Sequence, residues 1–257
     1  MNRMLSILAP LALIGVLLAV WEAACRALHL PAYILPPPTA ILVAAIANWP
    51  VLLGSAWITL SMAILALAVA SLVGTTLALA VSPNALIESA VRPIAVALQV
   101  TPIVAIAPQA VIWAGLDHPE RAVISLAAIV AFFPIFSGVL TGLKSADPDL
   151  ERLFDLYGAT RIQRLFRLRL PAAIPFILEG HKVAAGLAIV GAVVAEFVAG
   201  SGSAQGLAWR ILEAANRLQI AKEFAAVIVL GVMGVALHAV FRRGETELLA
   251  RWRGRRT

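Results

Sequence analysis

Charge is scarce in this chain. Asp, Glu, Lys and Arg make up 13% of its 257 residues, and hydrophobic residues make up 61%, whereas an ordinary soluble domain carries about 25% charged residues. Cysteine occurs once, at Cys25, which excludes an internal disulfide and a multi-cysteine metal site. The four histidines (His29, His118, His181, His238) are scattered without ligand spacing. No G-x4-G-K-[ST] loop is present to hold ATP phosphates. Nor is there a readable nucleophile–base pair, or a cluster of acids, histidines and cysteines such as an integral-membrane enzyme needs. The chain is expected to catalyse nothing and to hold no cofactor or metal of its own. If ATP drives its work, another chain hydrolyses it.

What the sequence has instead is long apolar runs, with a mean hydropathy of +0.94. Several exceed the roughly 18 residues that a membrane-crossing helix requires. Six spans are predicted, at about 5–24, 57–81, 93–115, 121–143, 172–199 and 223–241, all in one transmembrane domain covering 1–257. Runs this long are helices, because only helices and closed barrels satisfy their backbone in lipid. Leu5 to Ala24 is too long for a signal-peptide core and reads as an uncleaved first span. Leu35-Pro36-Pro37-Pro38 cannot continue a helix, so an extended outer arm is expected there, followed by a surface helix over about 39–53.

The net charge of +6 invites a nucleic-acid reading, but the arginines flank hydrophobic spans and so point to topology. Of the twenty basic residues, fifteen fall on one side of the six-span arrangement; only Arg26, Arg121, Arg210, Arg217 and Lys222 fall on the other. That excess places both termini and the segment 147–171 in the cytoplasm, with the basic tail after Phe241 on anionic lipid.

That segment organises the rest. Asp147-Pro148 reads as a capping acid followed by proline at the first helical position. Leu150, Leu153, Phe154 and Tyr157 then form one apolar stripe at i, i+3, i+4 and i+7. Gly158 suits the left-handed residue that closes the helix. Thr160 and Gln163 form a capping box for the next helix, in which Ile162, Leu165, Phe166 and Leu170 share an arc. Arg169 falls inside that arc and is expected to reach out to water.

Gly158, nine residues, Leu168, one residue and Leu170-Pro171 resemble the second half of the E-A-A-x3-G-x9-I-x-L-P loop of bacterial ABC importer permeases. The first half departs: Arg152, Leu153 and Phe154 occupy the E-A-A positions, and the nearest acid is one residue early, at Glu151. TPIVAIAPQAVIWAGL, AFFPIF and the leucine-proline arm resemble the nitrate/sulfonate/taurine branch, over about residues 30–240. PIVAIAP and VGAVVAEFVAG resemble its pyrimidine (thiamine-precursor) and riboflavin relatives. The resemblance implies an all-α, type I importer permease with a cytoplasmic coupling helix, in the bacterial inner membrane. It also implies a homodimer with the pathway at its interface, cytoplasmic ATPase subunits holding ATP and Mg, and a periplasmic or lipid-anchored binding protein. Leu150, Glu151, Arg152, Leu153, Phe154, Tyr157, Gly158 and Ala159 would form the ATPase-coupling element. The rival reading is a self-contained secondary transporter or channel, for which inverted repeats are expected and none is evident.

Four polar residues are candidates for the translocation pathway. Gln99, Thr101 and Gln109 accompany Pro102 and Pro108, and polar side chains on a proline-broken helix match a transport route. Interhelical hydrogen bonding accounts for them as well. Glu196 lies within the outer third of its span, where a carboxylate is costly. It either faces the pathway or is an interfacial acid reaching water or Arg210. His181 and Lys182 are expected to be solvated or lipid-facing. Gly138, Gly142, Gly186 and Gly191 are expected to allow close helix packing.

Overall fold

The computed structural model describes residues 5–115, 117–199 and 205–254. Arg3, Arg255, Arg256 and most of the glycine-serine-rich loop lie outside them. Every regular element among the described residues is helical. In chain order these are α1 (Leu5–Ala27), α2 (Pro38–Ala47), α3 (Trp49–Val81), α4 (Ala85–Val100), α5 (Ile103–Ala114), α6 (Pro119–Leu143), α7 (Pro148–Leu156) and α8 (Arg161–Arg164). A π-helical turn (Leu165–Arg169) follows, then α9 (Leu170–Ala199), α10 (Leu207–Asn216) and α11 (Ile220–Gly254). Five of these helices are long and apolar enough to cross a membrane, and α4 with α5 makes a sixth if the bent pair is one span.

The predicted third span is therefore not a single rod: α4 and α5 meet at 95°. The cause is local. Pro102 disfavours the helical region for the residue before it, and Thr101 adopts φ −66°, ψ 125°. The expected outer helix also ends sooner than its apolar run suggests. Pro38 starts α2, Asn48 terminates it, and α3 begins at once at Trp49.

The chain clusters into two compact units, Met1–Trp57 with Gln205–Gly231 and Ile58–Ala204 with Val232–Thr257. In the first, the Glu22 carboxylate accepts from the backbone N–H of Thr39 at 3.1 Å and from its hydroxyl at 3.0 Å, and pairs with Arg26 at 2.6 Å. An acid on α1 thus caps α2, whose own N-cap, Pro37, has no side chain able to do so. Trp21 packs on Phe224 with ring centroids 5.9 Å apart, and Cys25 is buried near the Leu35 carbonyl. In α10, the hydrogen bond from Arg210 holds the Glu213 carboxyl below its ordinary range. Leu11, Leu13, Ile14 and Leu17 of α1 stay exposed on several sides, as a helix immersed in lipid would be.

The core of the second unit is the antiparallel crossing of α6 and α9, and small residues set its closeness. A Cβ built on Gly142 would lie 2.8 Å from Ala173 Cβ, one on Gly138 2.8 Å from the Phe176 carbonyl, and one on Gly191 2.8 Å from Ala127 Cα. These three glycines let the backbones approach. Gly186 does not: nothing lies within 4 Å of its Cβ position. Around the crossing, Phe132 and Phe136 stack at 5.5 Å, and Ile135, Val139 and Leu140 are buried. His181 and Lys182 are not the solvated pair expected. His181 meets Ser71 of α3 and the Ile177 carbonyl, and Lys182 bonds to Glu179 and, at 3.0 Å, to Glu245 of α11. A local pattern cannot show Ser71 and Glu245, which come from other helices.

Candidate functional site

The loop between α6 and α9 folds as its residues dictate. Asp147 Oδ1 accepts from the Asp149 N–H at 2.8 Å, satisfying one of the unpaired donors of the first turn. Asp149 and Glu151 place negative charge where the helix dipole favours it. At the other end, the Gly158 N–H bonds to Asp155 O and the Ala159 N–H to Phe154 O, each at 3.0 Å. These two bonds make a Schellman closure, and Gly158 takes the φ of +63° that it requires. Thr160 and Gln163 then cap each other's backbone at 2.9 and 3.2 Å. The outcome is a stiff helical corner with a two-residue hinge.

The apolar stripe of this corner is only partly covered by the described residues. Leu150 and Leu153 are each 43% exposed and Tyr157 is 83% exposed; Phe154 is half-buried. Leu153, Phe154, Tyr157, Ala159, Gln163 and Arg167 line a shallow concavity of about 320 Å³. Leu156, absent from the predicted stripe, is also 85% exposed.

Three of the charged residues, Glu151, Arg164 and Arg169, turn toward one another. Glu151 Oε1 accepts from Arg169 Nε at 2.6 Å, and its other oxygen lies 3.4 Å from Arg164; Arg164 also meets Asp155. Arg169 keeps its side chain 37% exposed but is turned toward Glu151, beside the π turn. The Leu170 N–H bonds back five residues to Leu165 O, so residues five apart come nearly into line. Arg164 and Arg169 therefore share a face and converge on Glu151. Arg152, by contrast, is exposed and pairs only with exposed Asp149.

The four pathway candidates separate. Gln99 and Gln109 are exposed on α4 and α5, and the Thr101 hydroxyl turns back to Ala97 O at 2.7 Å beside the break. Glu196 is 1% exposed, not an acid reaching water. The Thr59 hydroxyl donates to its Oε1 at 2.7 Å, as a buried carboxylate requires. Sequence reasoning misses Thr59 because it lies in a different helix, 137 residues away. Among the described residues, no group of histidine, cysteine and acidic side chains is placed to hold a metal ion.

Residues 70–244, which contain the broken span, the α6–α9 crossing and the capped corner, match the family described as binding-protein-dependent transport system inner membrane component. The chain belongs to that family. This permease is 31% identical over 254 residues to the formylaminopyrimidine transport permease ThiX of Halalkalibacterium halodurans, covering 98% of this chain and 99% of that one. It is 31% identical to a probable ABC transporter permease of Haemophilus influenzae, covering 90% and 93%. With the taurine transport permease TauC of Escherichia coli it shares 27% identity, covering 94% and 88%. Its fold resembles that in a crystal structure of an amino acid ABC transporter, with a TM-score of 0.64 at 16% identity, covering 81% of this chain and 97% of that one. The protein is a membrane-embedded permease subunit of an ABC importer in the cell inner membrane. The self-contained transporter or channel is set aside.

Proposed function

We propose that this permease crosses the membrane six times, with α4 and α5 together forming the bent third crossing and both termini in the cytoplasm. Two copies enclose the pathway at their interface. Soluble ATPase subunits, which hold the ATP and Mg, dock on the α7 corner, and a binding protein delivers solute from outside. ATP-driven closure of the ATPases moves the two corners, and each transmits its movement through the continuous α8–π–α9 segment. Gln99, Thr101 and Gln109 sit at and beside the 95° break, where unwound backbone suits a solute route. Glu196 acts from within the α3–α9 packing. The full-length match to a formylaminopyrimidine permease favours a small pyrimidine-type organic solute over an inorganic anion.

One observation carries the coupling role: α7 is capped at both ends yet leaves Leu150, Leu153 and Tyr157 exposed. A helix built so rigidly for an exposed apolar face fits a groove on a partner. Co-purification of the ATPase with Leu153→Asp, Phe154→Asp and Gly158→Val tests this. Stranding a charge in such a contact costs several kcal/mol, and valine opposes the positive φ at 158. All three should insert and dimerise but lose ATPase association. Wild-type association in all three would end the coupling reading.

A further inference from the structure

A larger cavity, of about 440 Å³, opens on the α8–π segment. Ser82 and Pro83, from the turn between α3 and α4, line it together with Arg161, Ile162, Arg164 and Arg169. Its charge is unbalanced. Asp155 and Glu151 answer Arg164 and Arg169. The Arg161 side chain has no hydrogen bond or ion pair among the described residues, and Arg164 Nε is buried without a hydrogen-bond partner. The Ser82 hydroxyl donates to Leu79 O, so the donors left over are guanidinium groups.

The depth of the cavity follows from the helix packing. Gly142, the penultimate residue of α6, abuts Ala173, so the apolar run of α6 ends level with that residue. Arg169 precedes Ala173 by one turn, roughly 6 Å at 1.5 Å per residue. The polar headgroup region occupies roughly 5–7 Å on each side of the hydrocarbon. Beside the arginines, Ile162 and Phe166 are 70% and 64% exposed, an apolar shoulder next to the leftover positive charge.

We propose that this cavity binds the phosphodiester of an anionic phospholipid, with Arg161 as its principal cation. A zwitterionic phosphatidylcholine headgroup brings its own cation and leaves Arg161 without neutralisation. The proposal rests on the reading that this loop faces the cytoplasmic membrane surface. Its test uses the permease alone, so its failure would leave ATPase coupling untouched.

Full-length permease in mild detergent is stripped of lipid and mixed with phosphatidylglycerol or phosphatidylcholine, and retained lipid is counted by native mass spectrometry. Wild type should hold phosphatidylglycerol in preference. Arg161→Gln should hold it roughly five-fold less, the loss expected for one interfacial cation. Arg161→Lys should stay near wild type, and Arg121→Gln, which removes a cation at the N-terminal end of α6, should change nothing. An unaltered melting temperature in Arg161→Gln shows that the fold is intact. Equal retention by Arg161→Gln, or equal retention of the two lipids, overturns the proposal. Displacement by excess inorganic phosphate would make it a free-anion site and overturn it too.

Discussion

Glu151 on α7 and Arg169 in the π turn are joined at 2.6 Å, 18 residues apart in sequence. This bond ties the capped corner to the helix that continues as α9. It also gives the displaced acid of the loop motif a role within its own chain. Glu151 links α7 to Arg169 and Arg164, and on the coupling reading proposed above this pairing would set the direction of α7.

Glu151→Gln should therefore loosen the corner without removing its apolar stripe. The side chains are 20% and 37% exposed, so the loss should be about 1–2 kcal/mol, between exposed pairs and buried ones. The informative measurement is solute moved per ATP hydrolysed in reconstituted membranes. That ratio should fall while ATPase association persists, and the exchange Glu151→Arg with Arg169→Glu should restore part of it. An unchanged ratio in both single variants would reduce the pair to decoration.

Glu196 and Thr59 should behave as one unit. Glu196→Ala removes a buried hydrogen bond with the Thr59 hydroxyl and should destabilise the permease by about 1–3 kcal/mol. Thr59→Val should do the same by removing the hydroxyl that donates to the buried carboxylate. Glu196→Gln, which can still accept that hydrogen bond, should be milder. Thermal unfolding of the three variants decides this, and transport measured alongside separates a packing role from a solute contact. A Glu196→Ala variant as stable as wild type but unable to transport would favour the pathway.

The glycines of α9 and α6 should divide into two kinds. Gly142→Val and Gly191→Val drive side chains into backbone already 2.8–2.9 Å from the Cβ position, and overpacking of this sort costs about 1–3 kcal/mol. Gly186→Ala meets nothing within 4 Å and should be neutral or slightly stabilising, since alanine favours the helix by roughly 0.5–1 kcal/mol. Melting temperatures in detergent check all three. If Gly186→Ala instead weakens the dimer, that face of α9 lies against the second copy.

The topology reading is tested by accessibility. In a Cys25→Ser background, single cysteines at Ser145 and Asn216 should differ toward a membrane-impermeant thiol reagent on intact cells. Asn216 should react and Ser145 should not. Labelling of Ser145 from outside would reverse the orientation drawn from the fifteen-to-five charge division.

Sequence alone determined whatever depends on neighbours a few positions apart. The helices come from apolar runs with no other way to satisfy their backbone in lipid. The corner comes from Asp147, Gly158, Thr160 and Gln163, whose capping bonds reach at most five residues. Even the break at Thr101-Pro102 is a dipeptide property, although its angle is not. The tertiary fold decided what distant residues share. It buried Glu196 against Thr59 and set Lys144 on the buried Glu88. It gave Lys182 to Glu245 and left Gly186 without a neighbour while Gly191 met Ala127. Arg169 shows the boundary between the two. A 100° helical wheel assigns it to the apolar arc, but one i→i+5 bond turns it toward Glu151. Helical periodicity fixes a side chain's direction only while the hydrogen-bond register holds, and here the register shifts by one residue between Leu165 and Leu170.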